Sequence, residues 1–108
     1  MDRNYVAQLM YDLAQKRIAL SAKKSADYAT DEDALSDFKR VHVICAQFGI
    51  DPRRSPADCA LFLTVLKMDR YCNLRNKGAE PQNESTEDTI LDWHNYIDLA
   101  YACDIEKE

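Results

Sequence analysis

Five residues punctuate this chain, and their placement limits what it can fold into. Its two Gly and three Pro are Gly49, Pro52, Pro56, Gly78 and Pro81. They form two clusters, and the long stretches outside them carry no residue that breaks a helix. A chain of 108 residues suits one hydrophobic core. The reading is therefore all-α: a single domain over residues 1–108, folded as a compact bundle of about four helices.

Apolar spacing supports this placement. Val6, Met10, Leu13 and Leu20, widened by Leu9, predict a first helix over Arg3–Ser21. The polar stretch from Lys23 to Asp33 has no apolar period and reads as a loop. Leu35, Phe38, Val41, Cys45 and Phe48 form the face of a second helix that begins near Asp33 or Ala34 and ends at Gly49. Ser55, Pro56 and Asp58 make a capping start for a long third helix, which closes at Lys77-Gly78. Ser85 and Asp88 repeat that start for a fourth helix, whose Ile90, Trp93, Ile97 and Ala100 share a face. The expected interior is Phe38, Leu61, Val65, Trp93 and Ile97. So short a chain buries a limited core, and with six Tyr on offer a homo-oligomer is expected.

Charge excludes some functions. The net charge is -5, unsuited to long DNA or RNA, whose binding rests on many phosphate contacts. A small nucleotide needs only a few local cations. No apolar run approaches the roughly 18 residues of a membrane span, and the opening Met1-Asp2-Arg3-Asn4-Tyr5 has no signal region. Cys45, Cys59, Cys72 and Cys103 form no C-x-x-C pair and sit among apolar residues, which points to reduced, mostly buried thiols in a cytoplasmic protein.

Three groups of residues can carry chemistry. Arg53 and Arg54 precede the third helix, where unpaired backbone N–H groups favour an anion. They make either a phosphate site or a solvated basic loop. Lys67, Arg70 and Lys77 run along the third helix, and Asp88, Asp92 and Asn95, with Tyr96 beside them, along the fourth. Antiparallel packing of the two helices sets a basic row against an acidic one. The result is either an ion-pair seam or a polar pocket in which cations hold phosphate while Asp92 and Asn95 read a base or sugar. Asp88 and Asp92, one turn apart, can share a Mg²⁺, although Asp88 is equally a capping acid. His42 and His94 complete no nucleophilic motif.

Several segments together resemble a phage and bacterial family, the nucleotide-modification-associated domain of the first type. They are Lys24-Ser25-Ala26-Asp27-Tyr28, Ala34-Leu35-Ser36-Asp37-Phe38-Lys39-Arg40, Leu66-Lys67-Met68-Asp69-Arg70 with Asn73-Leu74, and Glu87-Asp88-Thr89-Ile90-Leu91-Asp92 with Asn95-Tyr96. The likeness covers about residues 23–103. That family is distantly similar to all-α nucleoside triphosphate pyrophosphohydrolases of the MazG kind, which hold Mg²⁺ with E-x-x-E on one helix and E/D-x-x-D on another. Here Glu84-Ser85-Thr86-Glu87 straddles a helix cap, and the second pair is Asp88-x-x-x-Asp92.

The resemblance implies a phage-type protein that binds a nucleotide or nucleotide-derived signal, such as one that sequesters an immune messenger in the host cytoplasm. Asp27 and Tyr28 would then close over Lys67, Arg70, Asp92, Asn95 and Tyr96. The alternatives are a Mg²⁺-dependent nucleotide pyrophosphohydrolase and a helical protein-interaction module.

Overall fold

Ser55 opens the central helix. Its hydroxyl accepts from the Asp58 N–H at 3.1 Å, Pro56 occupies the first turn, and Gly78 ends the helix in the left-handed conformation at φ 63°. In the computed structural model, which describes residues 1–106, this is α3, Pro56–Lys77. Around it stand α1 (Arg3–Tyr28), α2 (Ser36–Phe48) and α4 (Thr86–Ile105). Among the described residues there is no strand, and no helix is long and apolar enough to cross a membrane. The expected all-α bundle of four helices is what forms.

Each of the other helices packs on α3. Val41 and Cys45 of α2 meet Val65 of α3, and Ile44, Ile50, Phe62 and Leu66 close around them. Toward α4, Tyr71 and Trp93 pair as tilted rings 6.1 Å apart, and Leu74 and Ala100 are buried. The α2 helix ends at Gly49, φ 69°, and Ser85 caps α4 by accepting from the Asp88 N–H at 3.0 Å.

Three expectations are corrected. First, Lys23–Tyr28 is helix: α1 runs on to Tyr28. The stretch is polar but holds no Gly or Pro, and its end is set by side chains of distant helices. Second, the interior is smaller than the apolar pattern suggests. Val65 is buried and Leu61 and Trp93 are half-buried, but Phe38 is 64% and Ile97 47% exposed. Phe38 faces an open cleft under α1, and Ile97 sits at the edge of α4's packed face. Third, Cys45 is buried, but Cys59 and Cys72 are exposed and Cys103 is half-buried; all four thiols are free. Cys59 and Cys72 fall outside the α3 stripes that the neighbouring helices cover.

All but the last turn of α1 touches little. Residues 3–24 are exposed apart from half-buried Ala14, and the stripe Val6, Leu9, Met10, Leu13 and Leu20 lies open along it.

Candidate functional site

A helix ends with carbonyls that lack partners in the next turn. At the end of α1 these carbonyls meet donors from other helices. Asn73 Nδ2 donates to the carbonyls of Asp27 at 3.0 Å and Ala29 at 3.2 Å. Lys77 Nζ donates to Ala26 O at 3.0 Å, and Arg40 donates to Tyr28 O at 2.9 Å. Lys77 and Arg40 also set positive charge against the negative end of the α1 dipole. Arg40 is fixed in turn by a two-pronged bond to Asp69 at 2.6 and 3.0 Å, which holds its guanidinium above its ordinary pKa.

Inside this clamp lies a buried polar centre. Arg70, Asp27 and Thr89 are each 0% exposed. The Arg70 guanidinium donates to Asp27 Oδ2 at 2.5 Å and also to Thr89 Oγ1 and the Glu84 carbonyl. The Asp27 carboxylate accepts further bonds from the N–H groups of Gln82 at 2.6 Å and Asn83 at 2.9 Å. Burial pushes the Asp27 carboxyl up, but the Gln82 N–H, Arg70 and the Asn83 N–H outweigh it and hold it below the usual range. One carboxylate at the end of α1 thus ties down the loop between α3 and α4.

Lys67 lies one turn before Arg70. Its Nζ is 2.9 Å from Glu84 Oε1 and 3.3 Å from Asp92 Oδ2. Burial disfavours its charge, yet Glu84, the nearby Tyr28 hydroxyl and Asp92 raise its pKa. Burial likewise raises the Tyr28 hydroxyl, with Lys67 opposing. The Arg70 guanidinium carbon stands 5.8 Å from the centre of the Tyr28 ring, a cation–π distance.

The structure therefore brings Asp27, Tyr28, Lys67, Arg70 and Asp92 together around α3. Asn95 is exposed, and Tyr96 is half-buried further along α4. Arg53 pairs with Asp51 at 3.2 Å and Arg54 with Asp58 at 2.7 Å, at the start of α3 and about 20 Å along the helix from Arg70. Asp88 is exposed at the α4 cap while Asp92 is engaged by Lys67. Among the described residues no three His, Cys, Asp or Glu side chains converge as a metal site. The carboxylates do not fit the multi-ligand Mg²⁺ centre of the pyrophosphohydrolases.

A cleft of about 270 Å³ lies against Arg70 and Thr89 between α3 and the start of α4, and two larger clefts flank the centre. The larger, about 770 Å³, lies between α3 and the 29–35 connector, with Arg40, Asp69, Asn73, Asn76 and Lys77 on its walls. Its cations are already engaged by Asp69 and by the α1 carbonyls. The second, about 590 Å³, opens where α1 diverges from α2 and α3; Arg17, Lys24, Tyr28, Asp37, Phe38 and Leu66 line it. Among the described residues neither Arg17 nor Lys24 has a carboxylate at ion-pair distance. Asp37, 7% exposed, has a buried Oδ1 with no hydrogen-bond partner.

Sequence reasoning missed Arg17, Lys24 and Asp37 as lining residues, and Glu84 and Thr89 as partners of Arg70. Asp37-Phe38 stands in a segment that carries the family resemblance, and that was the available signal. In comparison with known proteins, no family model, no curated protein and no solved structure matches the chain.

Proposed function

We propose that the protein binds a nucleotide or a nucleotide-derived signal and holds it without converting it, in the cleft between α1, α2 and α3. The observation that carries this reading is the combination found in that one cleft. Two uncompensated cations, Arg17 and Lys24, offer charge-assisted bonds to phosphate. Tyr28 and Phe38 offer aromatic faces to a base. Asp37 lines the same cleft, where its carboxylate offers an acceptor to a base N–H; its Oδ1 is buried without a donor, a costly state that a small side-chain rotation toward a ligand would relieve. A volume of about 590 Å³ lies within the usual range for small-molecule sites, about 300–1,000 Å³.

On this reading Lys67 and Arg70 act from behind. Arg70, anchored by Asp27, holds the Tyr28 ring, and Lys67 keeps positive potential beside its hydroxyl. Asp92 balances Lys67. A sequestering role of the anti-defence kind suggested by the family resemblance is compatible with these parts, since holding a signal needs a cleft and no catalyst. Assembly into a homo-oligomer belongs to the same proposal.

The test is incubation with a panel of adenosine and guanosine mono- and triphosphates, with and without Mg²⁺, followed by denaturation and analysis of what was bound. Intact nucleotide recovered from wild type but not from Lys24→Ala, and unaffected by EDTA, is the expected result. New products that need Mg²⁺ would establish hydrolysis in its place. Equal retention by wild type and Lys24→Ala would remove the cleft from consideration.

A further inference from the structure

The chain leaves far more surface in water than a closed fold of its size. It exposes 8140 Å², whereas a compact monomer of this mass exposes about 6,100 Å². Its radius of gyration is 17.4 Å against about 13 Å for a compact domain of this length. The difference comes from α1, which stands away from the bundle with Val6, Leu9, Met10, Leu13 and Leu20 exposed on one stripe. An isolated helix in water gains little from its own hydrogen bonds, and helices in proteins draw their stability from burying a face. Something must cover this stripe.

A second uncovered face lies on α4. Leu91, Tyr101 and Ile105 are exposed on the side of the helix opposite buried Thr89 and Ala100, with Ile97 at its edge. The two helices carry opposite charge. Outside the ligand cleft, the open part of α1 holds the cations Arg3, Lys16 and Lys23 against the carboxylate Asp12. The α4 helix holds Glu87, Asp88, Asp98 and Asp104, besides Asp92, which Lys67 of its own chain engages, and no Lys or Arg.

We infer that the occupant is a second copy of this chain: α1 of one protomer lays the Val6–Leu13 part of its stripe along the Leu91–Ile105 face of α4 in the other, short of the cleft wall at Arg17 and Leu20, and the exchange is reciprocal. Reciprocity closes a two-fold dimer, so each copy covers both of its open faces and none is left to propagate a fibre. The surplus of roughly 2,000 Å² per chain is of the size that obligate dimers remove from each partner. Charge selects this pairing over α1 against α1 in parallel, which would stack Lys16 and Lys23 on their own copies; opposite charges across the interface also favour encounter. The inference specifies the oligomer of the proposed function and rests on that part of it.

The experiment is light scattering with size exclusion at tens of micromolar protein, with circular dichroism on every sample. Wild type is expected to be a dimer. Met10→Asp/Leu13→Asp on α1 and Leu91→Asp/Tyr101→Asp on α4 are each expected to be monomeric; all four positions are exposed in the protomer. The milder Lys16→Glu/Lys23→Glu is expected to weaken the dimer at least tenfold in low salt while keeping the helical signal, so the inference stays testable if an Asp variant fails to fold. A monomeric wild type overturns both the oligomer and this interface. A wild-type oligomer whose α4 variant remains assembled, or whose charge-reversed variant assembles as tightly, overturns the interface alone.

Discussion

The carboxylate of Asp27 and the guanidinium of Arg70, separated by 43 residues in the chain, meet at 2.5 Å with neither side chain exposed to water. Two charges taken out of water are stable only when each is well supplied with further partners. Asp27 has the N–H groups of Gln82 and Asn83, and Arg70 has Thr89 and the Glu84 carbonyl, with only its Nε left unpartnered. The pair joins three separate pieces of the fold: the end of α1, the middle of α3, and the loop leading to α4.

Removing either partner leaves the other charged and buried. Asp27→Ala or Arg70→Ala is therefore expected to cost about 3–5 kcal/mol, measured by urea unfolding of purified variants. The double substitution should cost clearly less than the sum of the two, because partners in one network are not additive. Single losses under about 1 kcal/mol, or strict additivity, would mean that the pair does not organise the fold.

The same carboxylate sets an acid limit. Its folded-state pKa lies below the ordinary value because the Gln82 N–H, Arg70 and the Asn83 N–H overcome the effect of burial. Glu84 is shifted the same way: burial would raise it, but Lys67 and Thr89 prevail. The folded protein thus holds these protons less readily than the unfolded chain does. Their contribution to stability is complete above about pH 4.5, the unfolded carboxylate range, and is lost as pH falls through the lowered folded values. At the other extreme, the raised Lys67 contributes fully below about pH 10.4 and is lost as pH rises through its folded pKa. Unfolding free energy measured from pH 2 to 7 should decline below about pH 4.5, and less steeply in Asp27→Asn. Parallel curves would exclude Asp27 as a source of the decline.

Much of the scaffold was legible from residue order. The caps at Ser55 and Ser85 and the stops at Gly49 and Gly78 are local chemistry, and local chemistry is what a sequence displays. Arg70 and Lys77 were also visible, with Lys67, as cations at helical spacing on α3, and Asn73 only as part of the family resemblance. What they hold was not visible. Their targets are backbone carbonyls and a carboxylate at the end of α1, in a stretch whose polar composition resembles a loop. A polar segment is helical here because distant donors satisfy its last carbonyls. The exposure of Phe38 and Ile97 was hidden for a related reason: an apolar period marks a face that needs covering and does not say whether its own chain covers it.

Thiol reactivity checks the packing at four points. Cys59 and Cys72 are exposed, Cys103 is half-buried and Cys45 is buried. Burial also raises the Cys45 thiol above its usual pKa, and the thiolate is the reactive form. A disulfide reagent at pH 8 should modify Cys59 and Cys72 rapidly and Cys45 only on unfolding, with each site identified by mass spectrometry of the digested protein. Rapid labelling of Cys45 in the folded state would contradict the core built on Val41, Cys45 and Val65.

The unpartnered Asp37 oxygen separates a ligand role from a structural one. A residue kept for stability should destabilise the protein when its polar atoms are lost. Asp37 Oδ1 has no partner to lose, so Asp37→Ala should change stability by less than about 1 kcal/mol, because removing an unsatisfied buried acceptor offsets the modest benefit of a carboxylate in the first turn of α2. If the carboxylate accepts a base N–H in the cleft, the same substitution should weaken nucleotide binding by about 1.5–3 kcal/mol, the scale of a hydrogen bond to a charged group. Phe38→Leu should weaken binding by a similar or smaller amount, because it keeps apolar bulk and loses the stacking face. Lys24→Ala should reduce the salt dependence of binding along with the affinity, since its contribution is to phosphate. Calorimetric titration of the three variants, with urea unfolding alongside, reads all of these effects. An Asp37→Ala variant that binds as wild type does but unfolds much more easily would make Asp37 a structural residue and sink the proposed base contact.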